Sequence, residues 1–266
     1  MLKTVLCVII AFIMGLFVVA PTQPASAQED NLDNTCRGID VSAWQGSIDF
    51  DRVKAGGIEA VYIRACYGAS SVDQYFERNY EGAKKAGLKY GFYHYVTARN
   101  ERQAVQQADF FADLIKTKPY DMRAAMDFEN LSGLNEETAV AIAKAYLDRL
   151  QERLAHTPVM YSDAYDIASV WRDSLKKYPL WVADYGVSEP YTTGGWGSWA
   201  GFQYDDKGQV RGISGHVDLD KFTSGIFLSD DEKRATKKIR HDYSRDNDGC
   251  DCKAMDDDTG KNCPAK

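Results

Sequence analysis

The chain has 266 residues, of which 44% are hydrophobic, 27% charged and 12% aromatic. That balance excludes collagen-like, disordered and multi-span membrane chains. With 39 acids against 32 bases, a formal charge of -7, no basic surplus exists to release counterions, so a nucleic-acid partner is not expected.

Residues 1–27 read as a secretory leader. Lys3 supplies the positive start, Val5 to Ala20 an almost unbroken apolar run, and Ala25-Ser26-Ala27 a small-residue cleavage site. The mature chain then begins at Gln28, is released to an extracellular or periplasmic space, and keeps no stable membrane association. An uncleaved anchor is the alternative, because the apolar run falls only slightly short of a span. Cys7 leaves with the leader, so the six cysteines become five and at least one thiol lacks an intrachain partner.

After a short segment, 28–35, residues 36–228 alternate β-rich runs with amphipathic stretches, the pattern of a parallel sheet with crossover helices. Strands are expected at 38–42, 60–67, 90–96, 123–129, 158–162, 180–185, 201–205 and 216–222. Two helices are plain, at 101–116 and 135–154, the second with acids in its first turn. The gaps after the first five strands hold helices. The connections 186–200 and 206–215 do not hold a crossover helix of normal length. The expected fold class is α/β: an irregular TIM-like barrel of eight strands and about five helices, its last strands joined by loops and at least one pair antiparallel.

Residues 229–266 are densely charged, with Ile239 and Met255 almost the only aliphatic content beyond alanine. Such a segment buries too little apolar surface to offset its ordering entropy, so a flexible tail is expected, with 230–240 able to form a solvated helix. Asp246, Asp248 and Gly249 fit part of a calcium loop, but Ser244 and Met255 stand where its first and last ligands belong.

Acids in strands that ought to be buried are the informative exceptions, because functional groups of a parallel barrel gather at the C-terminal strand ends. Alternation sends Asp127 and Glu129 to one side of their strand and Phe128 to the other. Asp40 interrupts the first strand and Asp218 the eighth, which are neighbours when a barrel closes. Asp184 in the sixth strand points the other way, to a helix or to solvent. For Asp127 and Glu129 alone, a strand end fraying into solvent is the competing account. Clustered carboxyls raise one another's pKa, giving a proton donor beside a base or charge stabiliser, which glycosidic cleavage requires. Glu129, with the longer reach, is the candidate donor. Trp44, Tyr93, Tyr161, Trp181, Tyr185, Trp196 and Trp199 fall at or beyond strand ends, where flat faces stack on sugar rings; aromatics are also common core residues, a role that fits the loop pair Trp196 and Trp199 least well. The four histidines, His94, His156, His216 and His241, show no metal spacing, and no phosphate-binding loop opens a helix. No metal or cofactor is expected, and His94 reads as a hydrogen-bonded core residue.

Six motifs, Gly38-Ile-Asp-Val-Ser-Ala-Trp-Gln-Gly46, Tyr62-Ile-Arg-Ala, Gly91-Phe-Tyr-His94, Met126-Asp-Phe-Glu129, Leu180-Trp-Val-Ala-Asp-Tyr185 and Val217-Asp-Leu-Asp220, resemble in order those of the family 25 glycoside hydrolases, lysozymes of the N-acetylmuramidase type. The resemblance implies an irregular barrel of eight strands and five helices that hydrolyses the β-1,4 bond between N-acetylmuramic acid and N-acetylglucosamine in bacterial peptidoglycan. It implies Glu129 as general acid and Asp127 as the residue orienting the substrate's N-acetyl group, which acts as internal nucleophile. Asp40 and Asp218 would line the same groove, and Tyr93, Tyr161, Trp181, Tyr185 and Gln203 would surround the sugar. Asp220 stands where the family commonly has Asn, and Cys66 where Thr is usual. The Cα atoms of Asp127 and Glu129, about 6.6 Å apart by strand rise, do not choose between retaining and inverting geometries.

A glycan-binding protein on a retired barrel and a chitin hydrolase are the alternatives; the presence of both Asp127 and Glu129 favours the muramidase. An extended polymeric substrate favours an open groove and a monomer. Cys36, before the first strand, and Cys66, near the top of the second, sit about 13 Å apart in level, too far for a disulfide. Pairing of Cys36 with Cys250, Cys252 or Cys263 stays open.

Overall fold

The computed structural model of the chain describes residues 35–171 and 175–248. The leader and its cleavage site, Cys250, Cys252 and Cys263 lie outside the described residues. In chain order the elements are β1 (Cys36–Val41), α1 (Phe50–Ala55), β2 (Ala60–Tyr67), β3 (Ser71–Val72), α2 (Phe76–Ala86), β4 (Lys89–Tyr95), α3 (Glu101–Ile115), β5 (Ala125–Asp127), α4 (Glu136–Leu154), β6 (Val159–Asp163), α5 (Ala164–Asp166), β7 (Leu180–Ala183), β8 (Gly201–Gly208), β9 (Val217–Phe222) and α6 (Asp230–Asp248). Side chains of Asp49, Asn100 and Asn135 accept backbone N–H bonds and start α1, α3 and α4.

Eight of the strands close the expected barrel, each paired with the next and β9 returning to β1. Strands β1, β2, β4, β5, β6, β7 and β8 run parallel. The last, β9, runs against both neighbours, as the short connection from β8 allows; the other helix-free connection joins β7 and β8, which stay parallel. Sequence reasoning did not find β3. It pairs with Cys66 and Tyr67 of β2, above the level where β1 stops, since β1 follows β2 only from Gly38↔Ala60 to Val41↔Ile63.

The lumen is filled by matching large rings to missing side chains. Tyr62 stacks on Trp181 with centroids 4.6 Å apart, and Phe222 meets both edge-on. A Cβ on Gly38 would stand 2.1 Å from the Phe222 ring, and one on Gly201 would stand 2.7 Å from Trp181. These glycines are therefore space for their neighbours' rings. The tyrosine's hydroxyl donates to the Arg123 carbonyl at 2.8 Å, so no polar atom of this plug is stranded.

Trp199 is a core residue and Trp196 packs half-buried against the core, contrary to the expectation for a loop pair. Trp199 is buried against Phe202, and Trp196 donates its indole N–H to the Tyr178 carbonyl at 2.7 Å. Between β7 and β8 the chain forms only a 3-10 turn, Gly194–Trp196, and both faces of a parallel sheet need cover. The tryptophans supply outside the barrel the apolar surface that a crossover helix supplies elsewhere. His94 is buried as expected, bonded to the Tyr146 hydroxyl and the Gly68 carbonyl. Among the described residues Cys36 and Cys66 form no disulfide, with each other or otherwise.

The described part of the tail also departs from expectation. Its helix, α6, extends to Asp248 and is docked. Ser229 and Glu232 form a reciprocal cap, Ser229 N to Glu232 Oε2 at 2.9 Å and Glu232 N to Ser229 Oγ at 3.3 Å. Glu232 also pairs with Arg123, which in turn donates to the carbonyls of Gly225 and Thr157. Thr236 is buried, and the Lys116 ammonium sits 4.2 Å from the Tyr243 ring centre. Charge pairing and capping therefore do what the missing aliphatic residues cannot. Burial alone would raise the Glu232 pKa, but bonds from Arg123 and Ser229 pull it from 4.5 to about 2. Its contribution to stability is thus full above about 4.5 and lost as pH falls through about 2. Glu232→Gln is expected to lower the urea midpoint by the equivalent of about 1–3 kcal/mol at neutral pH, with the two proteins' unfolding curves converging near pH 2.

Candidate active site

At the mouth of the barrel, where the parallel strands end, a pocket of about 190 Å³ holds all nine residues singled out from the sequence. β1 brings Asp40 and β5 ends on Asp127, with Glu129 two residues beyond. Because β9 is reversed, it delivers its second residue, Asp218, to the mouth, directly opposite Asp40. β4, β6 and β7 contribute Tyr93, Tyr161 and Trp181; Tyr185 closes one side and Gln203 comes from β8. Asp184 lies outside, accepting a bond from the Tyr191 backbone N–H.

Gln203 is the hub of this arrangement. Its amide Nε2 donates to Asp40 Oδ2 at 2.6 Å, while its Oε1 accepts the hydroxyls of Tyr161 and Tyr185, each at 2.8 Å. One buried amide thus orients an acid and two aromatic walls, with donors and acceptors matched.

Two pocket residues were not singled out, Arg64 and Tyr95. Both carried a signal: each stands two residues after an inward-facing residue of its strand, Tyr62 and Tyr93. Among the described residues lining the pocket Arg64 alone is a cation, and it is already engaged by Asp73 at 2.8 Å. The carboxyls are therefore under-neutralised. Asp127 is buried, and burial together with the charge of Glu129 holds its pKa well above the ordinary value; its Oδ1 has no partner. Glu129 is exposed to the pocket. Desolvation raises its pKa, a bond with Asp127 opposes this, Asp163 adds repulsion, and the Tyr161 hydroxyl pulls back; the net shift is upward. Asp40 is raised by burial and by Asp218, and Asp218 itself is pushed up to about 6 by burial and by Asp206 and Glu129.

Asp220, one layer below, is buried and accepts the Trp181 indole N–H at 2.9 Å. Burial and the neighbouring Asp40 hold it well above its usual range, and its second oxygen has no partner. Its Oδ1 accepts the indole N–H as the oxygen of an Asn amide would at this place. Cys66, the other departure, is buried in β2 with its thiol pushed up by desolvation; it does not line the pocket.

The chemistry available is that of carboxyls with elevated pKa values under aromatic walls, groups able to give and take protons near neutral pH.

Comparison with known proteins gives the same family. Residues 39–213 match the family described as "Glycosyl hydrolases family 25". The chain is 38% identical to an autolytic lysozyme of Clostridium acetobutylicum over 196 residues, covering 72% of this chain but 57% of that relative's length. It is 34% identical to lysozyme M1 of Streptomyces globisporus over 198 residues, covering 70% of this chain and 67% of the relative. Among solved structures, the bacterial lysozyme of Streptomyces coelicolor superposes with a TM-score of 0.65 at 32% identity, covering 77% of this chain and 97% of that one. On its motifs, its barrel and these relatives, the chain belongs to family 25 of the glycosyl hydrolases.

Proposed function

We propose that the chain is a secreted muramidase that hydrolyses the β-1,4 bond between N-acetylmuramic acid and N-acetylglucosamine in bacterial peptidoglycan, acting as a monomer. The observation that carries this reading is the pairing of an exposed, protonatable Glu129 with a buried Asp127 whose Oδ1 lacks a partner. Glu129 gives its proton to the glycosidic oxygen as the C1–O bond breaks. The acetamido oxygen of the same sugar attacks C1, and Asp127 Oδ1 accepts the acetamido N–H, favouring the attacking conformation as positive charge develops there; water then attacks C1, giving a proton to the Glu129 carboxylate as the C1–O bond to the acetamido group breaks. Asp40 and Asp218 add negative potential beside the forming oxocarbenium-like carbon. Both acids are present, which favours turnover over a binding-only barrel, and the similar proteins named as lysozymes support the substrate class.

Purified peptidoglycan should yield muramic-acid reducing ends with the wild type, and Glu129→Gln should lower kcat by about 10²–10⁴-fold. An absence of such ends, or equal release by the variant, overturns the assignment; greater release from chitin favours a chitinase.

The pH profile gives a second test. The alkaline limb follows loss of the Glu129 proton, and repulsion from Asp163 helps hold that proton. Asp163→Asn keeps the cap on the Asp166 N–H and is expected to shift the alkaline limb to lower pH.

Asp220→Asn is expected to preserve the Trp181 bond while removing the cost of burying an ionisable group. An acid whose folded pKa is raised loses stability as pH climbs above its unfolded value of 3.8. The variant should therefore melt higher than wild type at neutral pH and equally below about pH 3.8, as measured by calorimetry.

A further inference from the structure

Strand β3, the element that sequence patterning did not reveal, brings Asp73 back beside Arg64. Val72 pairs with Cys66, and the Asp73 N–H donates to the Ala65 carbonyl at 2.9 Å. Backbone pairs are enough to close such a hairpin, so the work of the Asp73 side chain lies elsewhere. Its Oδ2 accepts from Arg64 Nε at 2.9 Å and Nη2 at 2.8 Å, and from Ala43 N at 3.0 Å, while Oδ1 accepts from Tyr75 N at 2.9 Å. Four N–H groups thus converge on one buried carboxylate, about the most it can accept.

The scaffold keeps this clamp from moving with Arg64. In the hairpin turn Gly68, with φ of +59°, donates its N–H to the Tyr95 carbonyl at 3.0 Å, and its own carbonyl accepts from His94 Nε2 at 2.9 Å. That leaves His94 Nδ1 to accept the hydroxyl of Tyr146, on α4, at 2.8 Å. Burial pushes the His94 pKa down to about 3, so the brace does not change over the working pH range.

Arg64 also lines the acidic pocket. There Asp127 is faced by Asp40 of β1, and Glu129 by Asp163 at the end of β6, Asp166 of α5 and Asp218 of β9. Tyr95 of β4 and Tyr161 of β6 add hydroxyls. Arg99, whose charge reaches Tyr95, is taken up by the carbonyls of Asn130 and Ser132 at 2.9 and 3.2 Å. The charge of Arg64 acts on Asp127 in the direction of proton loss. An unpaired guanidinium among these acids would act far more strongly, because an opposite charge at close range lowers a carboxyl pKa by about 1–3 units.

We propose that Asp73 is a positioning residue for proton donation: by holding the Arg64 guanidinium it keeps the pocket's cation from neutralising Asp127 and Glu129, so that the pair still carries a proton at the pH where the glycosidic bond is cut. This rests on the muramidase reading of the pocket, since the retained proton is the one given to the leaving oxygen. The hairpin thereby sets the pH range of a reaction it does not touch.

The test is a charge cycle read on the alkaline limb of kcat/KM against pH, with peptidoglycan as substrate and melting temperatures as the check on folding. Asp73→Asn frees the cation and is expected to move the limb down by about 0.5–1 pH unit. Arg64→Gln leaves the acid and is expected to move the limb up. The double variant, neutral at both positions as the native pair is neutral in sum, is expected to bring the limb back to the wild-type position. A purely structural Asp73 lowers kcat or the melting temperature and leaves the limb in place. Unmoved limbs in both single variants, shifts of the same sign, or a double variant displaced as far as either single overturn the proposal. Where Asp73→Asn does not fold, Arg64→Gln decides: an upward shift supports the clamp and an unmoved limb overturns it. A wild type that cuts peptidoglycan at no pH overturns the muramidase reading instead. Carbon-13 titration of the Asp127 and Glu129 carboxyls in wild type and Asp73→Asn then decides the clamp, lower midpoints in the variant supporting it and equal midpoints overturning it.

Discussion

Five carboxyls crowded around one barrel mouth set the terms for the rest of the structure. Asp40, Asp127, Glu129 and Asp218 line the pocket, Asp220 lies beneath it, and the one cation among the described lining residues is already paired with Asp73. Mutual repulsion in a partly desolvated space is costly when every group is ionised, and the cost is relieved by holding protons. What would be a defect in a structural core is useful here: a proton that is held under strain is one that can be given away. Gln203 keeps this charge reservoir from disordering the walls, because it satisfies Asp40 with its amide N–H while fixing Tyr161 and Tyr185 with its oxygen.

Reversal of β9 is what makes the crowding possible. A parallel eighth strand would bring its C-terminal end, Phe222, to the mouth and leave Asp218 at the base. Running backwards, the strand places Asp218 opposite Asp40, Asp220 opposite Gly38, and Phe222 at the bottom as part of the ring plug with Tyr62 and Trp181. Polar and apolar layers are thus stacked by a single alternation, read from mouth to floor. Trp181 joins them: one face of its environment is the plug, and its indole N–H reaches up to the acid layer through Asp220.

Much of this was legible in the sequence because it depends on period and position. Eight strand runs, the missing last crossovers and the inward side of Asp127 and Glu129 follow from alternation and loop length; the full set of nine candidates, Gln203 included, came from the family resemblance, and the nine do meet in one pocket. The same alternation, carried one step further along β2 and β4, reaches Arg64 and Tyr95. Other features had no local signal. The β2–β3 hairpin exists because β1 stops short, and the packing of Trp196 and Trp199 against the core follows from a helix absent between β7 and β8; both depend on neighbours distant in the chain. The docking of α6 was hidden differently: Ser229-Asp-Asp-Glu232 is a legible helix start, but its anchor, Arg123, lies in a run whose polar content drew attention only at its other end.

The Arg123 and Glu232 pairing also separates the molecule into two working faces. Arg123 and Thr157 precede β5 and β6, so α6 lies across the floor of the barrel, where the parallel strands begin. The acidic pocket occupies the other end. A fluorophore, affinity handle or surface linkage placed on the exposed side of α6 would therefore leave the mouth free, allowing the barrel to be immobilised on a solid support with its acidic pocket turned outward.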